Sequence, residues 1–507
     1  MNFPDLPPEI LCRILLLADA KTIIRCSVVS HTWHETIASC SELQYEIQLC
    51  KAGLVSGLPS SMSTADKLQA LAKHLRAWEK LDWTSTVVDL PAALDPAMQH
   101  KLAAGVFALQ EDGTEFVHTL TLQENPPATT HSLGLNPRTF VSLAMDPTQD
   151  LLVCAYPTLG PDSESITVAF RSLSANRPHP MARCPSITVE TGNDYEPRAI
   201  HIADDVVGML FGDPDVIRVW DWRTGILLVD TQLDMDLPDF QFISPRVFVV
   251  ASSTDSGWLD IFMISPTNTT VHVARLRLPV GMRPDGEAAW MPGGVDIQSG
   301  PVCGHPVRGS FFPGSENRIY LCAYKLALAH GDVRNIRLIV HQRALVRYVS
   351  QYVREGRTEY IDSEWDDWGP RGARMLLARQ TGLHWVFPVH GERVVFLGDQ
   401  ERQLQVLDFG LIHGDQGNDV GDNDTLVLGP TTIDGLFKES VTTYLPFRRT
   451  LLRTDEDFDT LLMDQKHIIL GNDDLDLEKQ DKFGAVSLWK FPDPGVENDC
   501  DASKGIQ

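Results

Sequence analysis

The tetrapeptide Trp365-Asp366-Asp367-Trp368 sets two indole rings on either side of two carboxylates. Tryptophan is enriched at binding hot spots and carboxylates select cations, so the group suits recognition of a basic peptide. The same four residues also fit a loop whose tryptophans pack on a domain edge, with Arg371 and Arg374 pairing with the acids. A second polar group, Asp415, Asn418, Asp419, Asp422, Asn423 and Asp424, carries enough oxygen atoms for calcium. It breaks the EF-hand pattern because Gly421 occupies the first alternate ligand position after Asp419, so it reads as a solvated acidic loop. Cys26, His31, His34 and Cys40 lack the paired-ligand spacing of a structural zinc site and read as packed helix residues. His384-Trp385, just before an apolar run, reads as core. The chain contains no G-x-S-x-G, G-x-x-x-x-G-K-[ST], H-E-x-x-H or G-x-G-x-x-G pattern. No catalytic residue, metal or cofactor is therefore assigned.

The elements that must position these groups fall into two kinds. Ile10, Leu11, Ile14, Leu15 and Ala18 recur at helical spacing behind Pro7 and Pro8, which open a helix without cost. Further short helices are predicted over 21–29 and 31–38, the latter with Trp33 and Ile37 on one face. Ser63 and Asp66 have capping-box-like spacing ahead of a stripe of Leu68, Leu71, Ala72, Leu75, Trp78 and Leu81, which predicts a longer fourth helix.

Beyond Thr84 helical periodicity gives way to short runs rich in Val, Ile, Phe and Thr, separated by Gly, Pro, Asn and Asp. Paired runs recur: 206–211 with 216–221, 247–252 with 258–264, 393–398 with 404–409, and 467–471 with 485–491. Roughly 400 residues of such strands exceed one sandwich, and the recurring pairs point to a β-propeller of six to eight blades with irregular insertions. The rival architecture is a large β-sandwich or a pair of them. Either 87–90 or 115–122 is expected to supply the N-terminal strand that closes the ring. The acidic stretches 362–370, 415–424, 454–460 and 472–481 read as loops between strands.

Composition bounds the partners. Among 507 residues, 43 Lys and Arg face 68 Asp and Glu, a net charge of −25. Residues 1–90 hold 8 of the cations and 10 of the acids, so nearly all of the negative charge lies on the β region and its tail. Such a surface repels nucleic-acid phosphate and anionic membranes, so neither is expected as a partner. Nine scattered cysteines without a C-x-x-C pair read as free thiols of a reducing compartment. With no membrane-length apolar run and no signal-peptide pattern at Met1-Asn2-Phe3-Pro4-Asp5, the expectation is a protein of the cytosol or nucleus.

The segment Leu6-Pro7-Pro8-Glu9-Ile10-Leu11-Cys12-Arg13-Ile14-Leu15, followed by Ile23 to Trp33 and by Leu43 to Leu49, resembles an F-box motif. The stretch after it, through Ala52-Gly53-Leu54-Val55, Ser63 to Leu68 and Ala77 to Trp83, looks like the extension common in a large group of fungal F-box proteins. The resemblance divides the chain into an F-box (1–50), a helical extension or linker (51–85), a divergent WD-repeat-like propeller that binds a substrate (86–493) and a disordered acidic tail (494–507). It implies docking on the Skp adaptor, and through it a cullin, by Leu6, Pro7, Ile10, Leu11, Ile14, Leu15, Ile23, Val28, Val29 and Trp33. Two positions depart from the pattern: Ala18-Asp19 stands for a usual Leu-Pro, and Ser30-His31 for a common Cys-Lys. In the β region, Val219-Trp220-Asp221-Trp222-Arg223-Thr224-Gly225 looks like the end of a WD-repeat blade, and Ser487-Leu488-Trp489 resembles another.

Three helices of about ten residues cannot bury all their apolar faces against one another, and each side chain left out forgoes ~1.5–3 kcal/mol. A partner surface resolves that, as the F-box resemblance implies; the rival is that the same faces pack on the fourth helix and the β domain. The resulting expectation is a non-enzymatic substrate adaptor of a Skp–cullin–F-box ubiquitin ligase, recruiting an unidentified protein target. A non-ligase interaction scaffold and a propeller hydrolase with a site assembled from scattered carboxylates are the alternatives.

Overall fold

The computed structural model describes residues 6–57, 62–81, 83–90, 100–110, 116–122, 128–134, 142–158, 165–190, 197–212, 215–233, 239–253, 257–281, 295–302, 311–327, 333–378, 385–398, 402–410, 424–454, 458, 460–471 and 485–490. The acidic segments 415–423 and 472–481, His384 and the tail 494–507 lie outside the described residues.

Four helices occupy the first fifty residues where three were expected: α1 (Pro8–Leu15), α2 (Ala20–Ser27), α3 (His31–Ser39) and α4 (Ser41–Lys51). The two departures from the F-box pattern are both helix caps. Asp19 Oδ1 accepts from the Thr22 amide at 2.9 Å, and Ser30 Oγ accepts from the Trp33 amide at 3.3 Å. Helix α4 has no single apolar stripe because it faces two ways. Leu43 and Ile47 join Leu15, Ile23 and Ile37 in one small core, while Tyr45 and Leu49 join Leu54, Ala70, Leu71 and Phe311 in the next. The longer helix α5 (Thr64–Lys80) starts as the sequence predicts, with Ser63 Oγ accepting from the Asp66 amide at 3.2 Å, and ends on Leu81 in the left-handed region (φ 51°).

The rest is a seven-bladed propeller. Its blades are, in order, His100–Ala103, Val106–Gln110, Phe116–Thr121 and Ala128–Gly134; then Ser142–Asp146, Leu151–Pro157, Ser165–Ser172 and Ser186–Glu190; then Pro197–Ala203, Val206–Phe211, Val216–Asp221 and Ile226–Gln232; then Asp239–Ser244, Val247–Ser252, Trp258–Ile264 and Thr270–Arg277. The fifth holds Asp296–Ser299, Ile319–Ala327, Val333–His341 and Ala373–Ala378; the sixth Val389–His390, Arg393–Leu397, Gln403–Asp408 and Phe447–Arg453, edged by Asp424–Val427. The seventh joins Thr460–Met463, His467–Gly471 and Ala485–Lys490 to Thr84–Asp89 from the start of the chain, paired antiparallel from Thr84↔Lys490 to Asp89↔Ala485. That strand closes the ring, whereas Phe116–Thr121 is the third strand of the first blade.

Burial explains why the strands read as continuous apolar runs rather than alternating ones. Val206–Phe211 and Val247–Ser252 are buried at every position because a second strand is covered by a neighbouring blade on each side. At Gly208 an added Cβ would lie 2.8 Å from the Phe242 ring, so only glycine lets these two blades close up. The Trp220–Gly225 segment forms the turn its composition suggests: Asp221 Oδ1 accepts from the amides of Arg223 and Thr224, Gly225 takes φ 77°, and buried Trp222 donates to the Asp204 carbonyl at 2.8 Å.

One insertion departs from the all-strand expectation. Between the last two strands of the fifth blade lie α6 (Gln342–Glu355), the short strand Ile361–Ser363 and α7 (Trp365–Gly372). Ile361–Ser363 extends the fourth blade in parallel with Thr270–Arg277, and Arg277 grips Asp362 through two bonds of 2.8 and 2.6 Å. The segment expected as an acidic loop at 362–370 is therefore a strap joining two blades.

Candidate functional site

The N-terminal helices sort the ten expected adaptor-contact residues by burial. Leu15 and Ile23 (1% exposed) are closed inside the helices' own core with Trp33 half-buried against it, and Leu11 (2%) is buried as well. Side chains that hold this core together are not available to enter a partner, so these three are core residues rather than surface contacts. Leu6 is half-buried and Pro7 exposed. The outward apolar residues are Ile10 and Ile14 on α1, and Val28 (83% exposed) and Val29 (71%) in the turn after α2. Leu17, 89% exposed and seven positions after Ile10, extends the α1 stripe. Its place in the run Leu15-Leu16-Leu17 was the available signal for it.

The helices are fixed to one face of the propeller. Each first strand starts on the opposite face and ends on this one, so the turns between first and second strands gather here. Trp78 Nε1 donates to the Gln465 carbonyl at 3.3 Å, in the first turn of the seventh blade, and the Arg393 guanidinium stacks 4.8 Å over the Trp78 ring. Ala77, Trp78 and Leu81 pack with Val395, Leu461 and Trp489 at the junction of the sixth and seventh blades. Leu54–Ser56 pairs with Phe311–Pro313, and Arg448 meets Glu79 at 3.0 Å. Beneath this contact the His341 imidazole lies 2.7 Å from the buried Glu392 carboxylate. The outward apolar residues thus belong to a body held on the docked face, leaving the opposite, open face to other contacts.

The Trp365 to Trp368 pincer does not exist. Both indoles are buried, edge to face at 5.1 Å, in the core between the fourth and fifth blades, and Trp368 Nε1 donates to the Arg277 carbonyl at 2.9 Å. Asp366 and Asp367 are exposed in the first turn of α7, where the helix dipole favours them. Arg374 does not pair with them: it is buried and donates to the carbonyls of Gly429 and Thr443. The packing reading of these tryptophans is the right one.

The inner strands enclose a channel of about 510 Å³ to which all seven blades contribute. Near its open-face end, where first strands begin, the carboxyls of Asp239 and Asp296 are neighbours in the wall. Burial raises both above the ordinary carboxylate range. Asp239 also accepts from the amides of Phe240 and Ile297 at 2.8 Å each, tying two blades together. Burial lowers the neighbouring Lys101, against the pull of both carboxyls. His201 and His390, also in the channel wall, are pushed by burial down to about 3 and about 4, so both are neutral at neutral pH. None of these residues stood out in the sequence. Among the described residues no group of three His, Cys, Asp or Glu is arranged to hold a metal ion, the seven described cysteines are free thiols, and no helix is long and apolar enough to cross a membrane.

The sheets define a seven-bladed β-propeller behind a helical region. The F-box domain family matches residues 3–45, so the chain carries an F-box ahead of its propeller. Among solved structures the chain is similar to the WD40 domain of Toxoplasma gondii coronin, at 9% identity over 82% of this chain and 88% of that one with a TM-score of 0.36. It is also similar to the β-propeller domain of Cps50 (Swd1) from Myceliophteria thermophila, at 10% identity over 80% and 99% with a TM-score of 0.39. No curated protein matches the sequence.

Proposed function

We propose that the chain is a substrate-recognition adaptor of a Skp–cullin–F-box ubiquitin ligase, working in the cytosol or nucleus. The observation that carries this reading is the outward set Ile10, Ile14, Leu17, Val28 and Val29, lying within the F-box match although the helices have a closed core of their own. Burying each against the Skp adaptor contributes ~1.5–3 kcal/mol. The propeller binds the target on its open face and the rigid junction at Trp78 sets its distance from the cullin, so ubiquitin transfer gains from proximity while the chemistry resides in other subunits.

The channel does gather acids and histidines, as the hydrolase alternative asks. His201 Nδ1, however, meets the Gln241 amide at 3.3 Å rather than a nucleophile. The test is capture of the full chain by purified Skp adaptor and cullin. Ile14→Asp with Val28→Asp should weaken capture by about 30-fold or more while the circular dichroism spectrum stays unchanged. Undiminished capture by the folded double variant sinks the reading.

A further inference from the structure

Helix α6 stands apart from the chain around it by charge. Over 342–357 the sequence holds Arg343, Arg347, Arg354 and Arg357 against Glu355 as the one acid, in a chain where acids outnumber cations 68 to 43. The inner side of the helix is fixed: Leu345, Tyr348 and Tyr352 are buried in the core shared with Trp365 and Trp368, and the Tyr348 hydroxyl lies 2.7 Å from Ser363 Oγ. Arg343, Val346, Arg347, Ser350, Val353 and Arg354 are all exposed at three-and-four spacing, so they form one outward ridge. Val353 is 61% exposed, and Val346 and half-buried Val349 continue its apolar line. The charge of the ridge is only partly answered. Arg343 lies 3.5 Å from the Glu392 carboxylate, which also meets His341, and Arg354 and Arg357 share Glu355. Arg347 makes no ion pair among the described residues: it donates to the Tyr348 hydroxyl and to the carbonyl, not the carboxylate, of Asp367. Of the other acids on the strap, Asp362 and Glu364 are taken by Arg277, and Glu359, Asp366 and Asp367 lie outside α6.

The helix starts where a third strand ends, on the face that carries the helical region, and Arg343 reaches Asn317 there at 3.2 Å. An occupant of the ridge therefore stands on the same side as the F-box. From Arg343 to Arg354 the guanidiniums are strung along about 16 Å of helix rather than gathered on one point, which suits a row of carboxylates and not a phosphate group. The net charge of −25 sets the chain against nucleic acid and anionic membrane here as elsewhere. Valines between the arginines call for apolar side chains at matching spacing, which an amphipathic helix supplies. We propose that the outward ridge of α6 docks an acidic amphipathic helix of a partner protein, with its leucines or isoleucines over Val346, Val349 and Val353 and its carboxylates on Arg343, Arg347 and Arg354. Because α6 is already folded and pinned, the ordering that docking requires falls on the partner alone. The contact is separate from target binding on the open face and from the outward set on α1.

The test titrates the full chain into a fluorescein-labelled designed peptide of about four helical turns, with leucines at three-and-four spacing flanked by glutamates, and reads anisotropy. Its controls are a glutamine-for-glutamate peptide and a peptide of the same composition in shuffled order. The acidic peptide should bind about tenfold or more tightly than either control, and raising salt from about 50 to about 500 mM should weaken it severalfold. Arg347→Glu with Arg354→Glu should lower the affinity about tenfold or more, and Val346→Ala with Val353→Ala about threefold, all with unchanged melting curves because these side chains are exposed. Equal binding of a control peptide, no saturation up to about 1 mM, an unaltered double-arginine variant, or binding of phosphatidylserine vesicles in place of the peptide each overturns it. A dimer in sedimentation that the double-arginine variant breaks gives the ridge to a second copy of the chain and overturns it too. Skp adaptor capture is measured on the same preparations. Peptide binding without capture sinks the ligase reading alone, and capture without peptide binding sinks this inference alone.

Discussion

The helical region and the propeller treat apolar surface in opposite ways. In the propeller each blade covers the next, and closing the ring leaves no uncovered inner face: Val206–Phe211, Val247–Ser252 and His467–Gly471 are buried throughout. The four short helices make a core of Leu15, Ile23, Ile37, Leu43 and Ile47, and then have no further layer to set against Ile10, Ile14, Leu17, Val28 and Val29. A repeating architecture supplies its own partner surfaces, and a small helical body must borrow one.

The sharpest way to break that comparison is to put the same charge on each side of it. Leu11→Asp buries a carboxylate in the helical core and should cost about 3–5 kcal/mol, unfolding α1 to α3, whereas Ile14→Asp, three residues on, should change stability by less than about 0.5 kcal/mol. Helical circular dichroism during thermal melts reads both, and equal losses would mean that the inward and outward sets are wrongly divided.

Acid sharpens it next, because the propeller and its junction bury bases that the helical core lacks. His74, His201 and His390 have folded pKa values pushed down by burial, so the unfolded chain binds their protons first. Stability is therefore present above the unfolded value of about 6.5 and is lost as pH falls below it, by about 1.4 kcal/mol per histidine between pH 7.5 and 5.5. The Asp239–Asp296 pair, raised when folded, works in the opposite sense and returns part of this. Urea melts followed by tryptophan fluorescence should flatten with pH in His201→Gln. An unchanged pH slope in that variant would place the sensitive group elsewhere.

The smallest effect lies at the caps. Asp19→Ala should cost about 1 kcal/mol in the helical region and leave the propeller transition where it was. Two resolved transitions in calorimetry would show this, and a shift of both would mean that the two bodies melt as one.

The propeller was legible because its second and third strands are covered on both faces, so their apolar runs stand out without alternation. The Trp220–Gly225 turn and the Ser63 cap were legible because each rests on contacts within a few residues. Helix α4 was hidden by its two opposed faces, and α7 by Gly369, Pro370 and Gly372 inside eight residues. Helix α6 does carry a stripe, Leu345, Tyr348 and Tyr352, but it sits amid strands whose pattern set the expectation. The split between Leu11 and Ile14 depends on which side of α1 meets α3, and neighbouring apolar residues look alike in sequence. The channel groups were out of reach altogether: Lys101, Asp239 and Asp296 come from three blades and meet only because each stands at or near the start of a first strand.

The seam of the ring joins residues 406 positions apart, Thr84 and Lys490. At a translation rate of about 5–20 residues per second, the first strand of that pair waits roughly 20–80 s for its mate to be made. Through that interval the helices before it can form locally, while Thr84–Asp89 is an unpaired edge open to other strands. A chain truncated before 485 would carry the F-box helices with no locked ring behind them. Until the last strand arrives, the ring stays open at this seam.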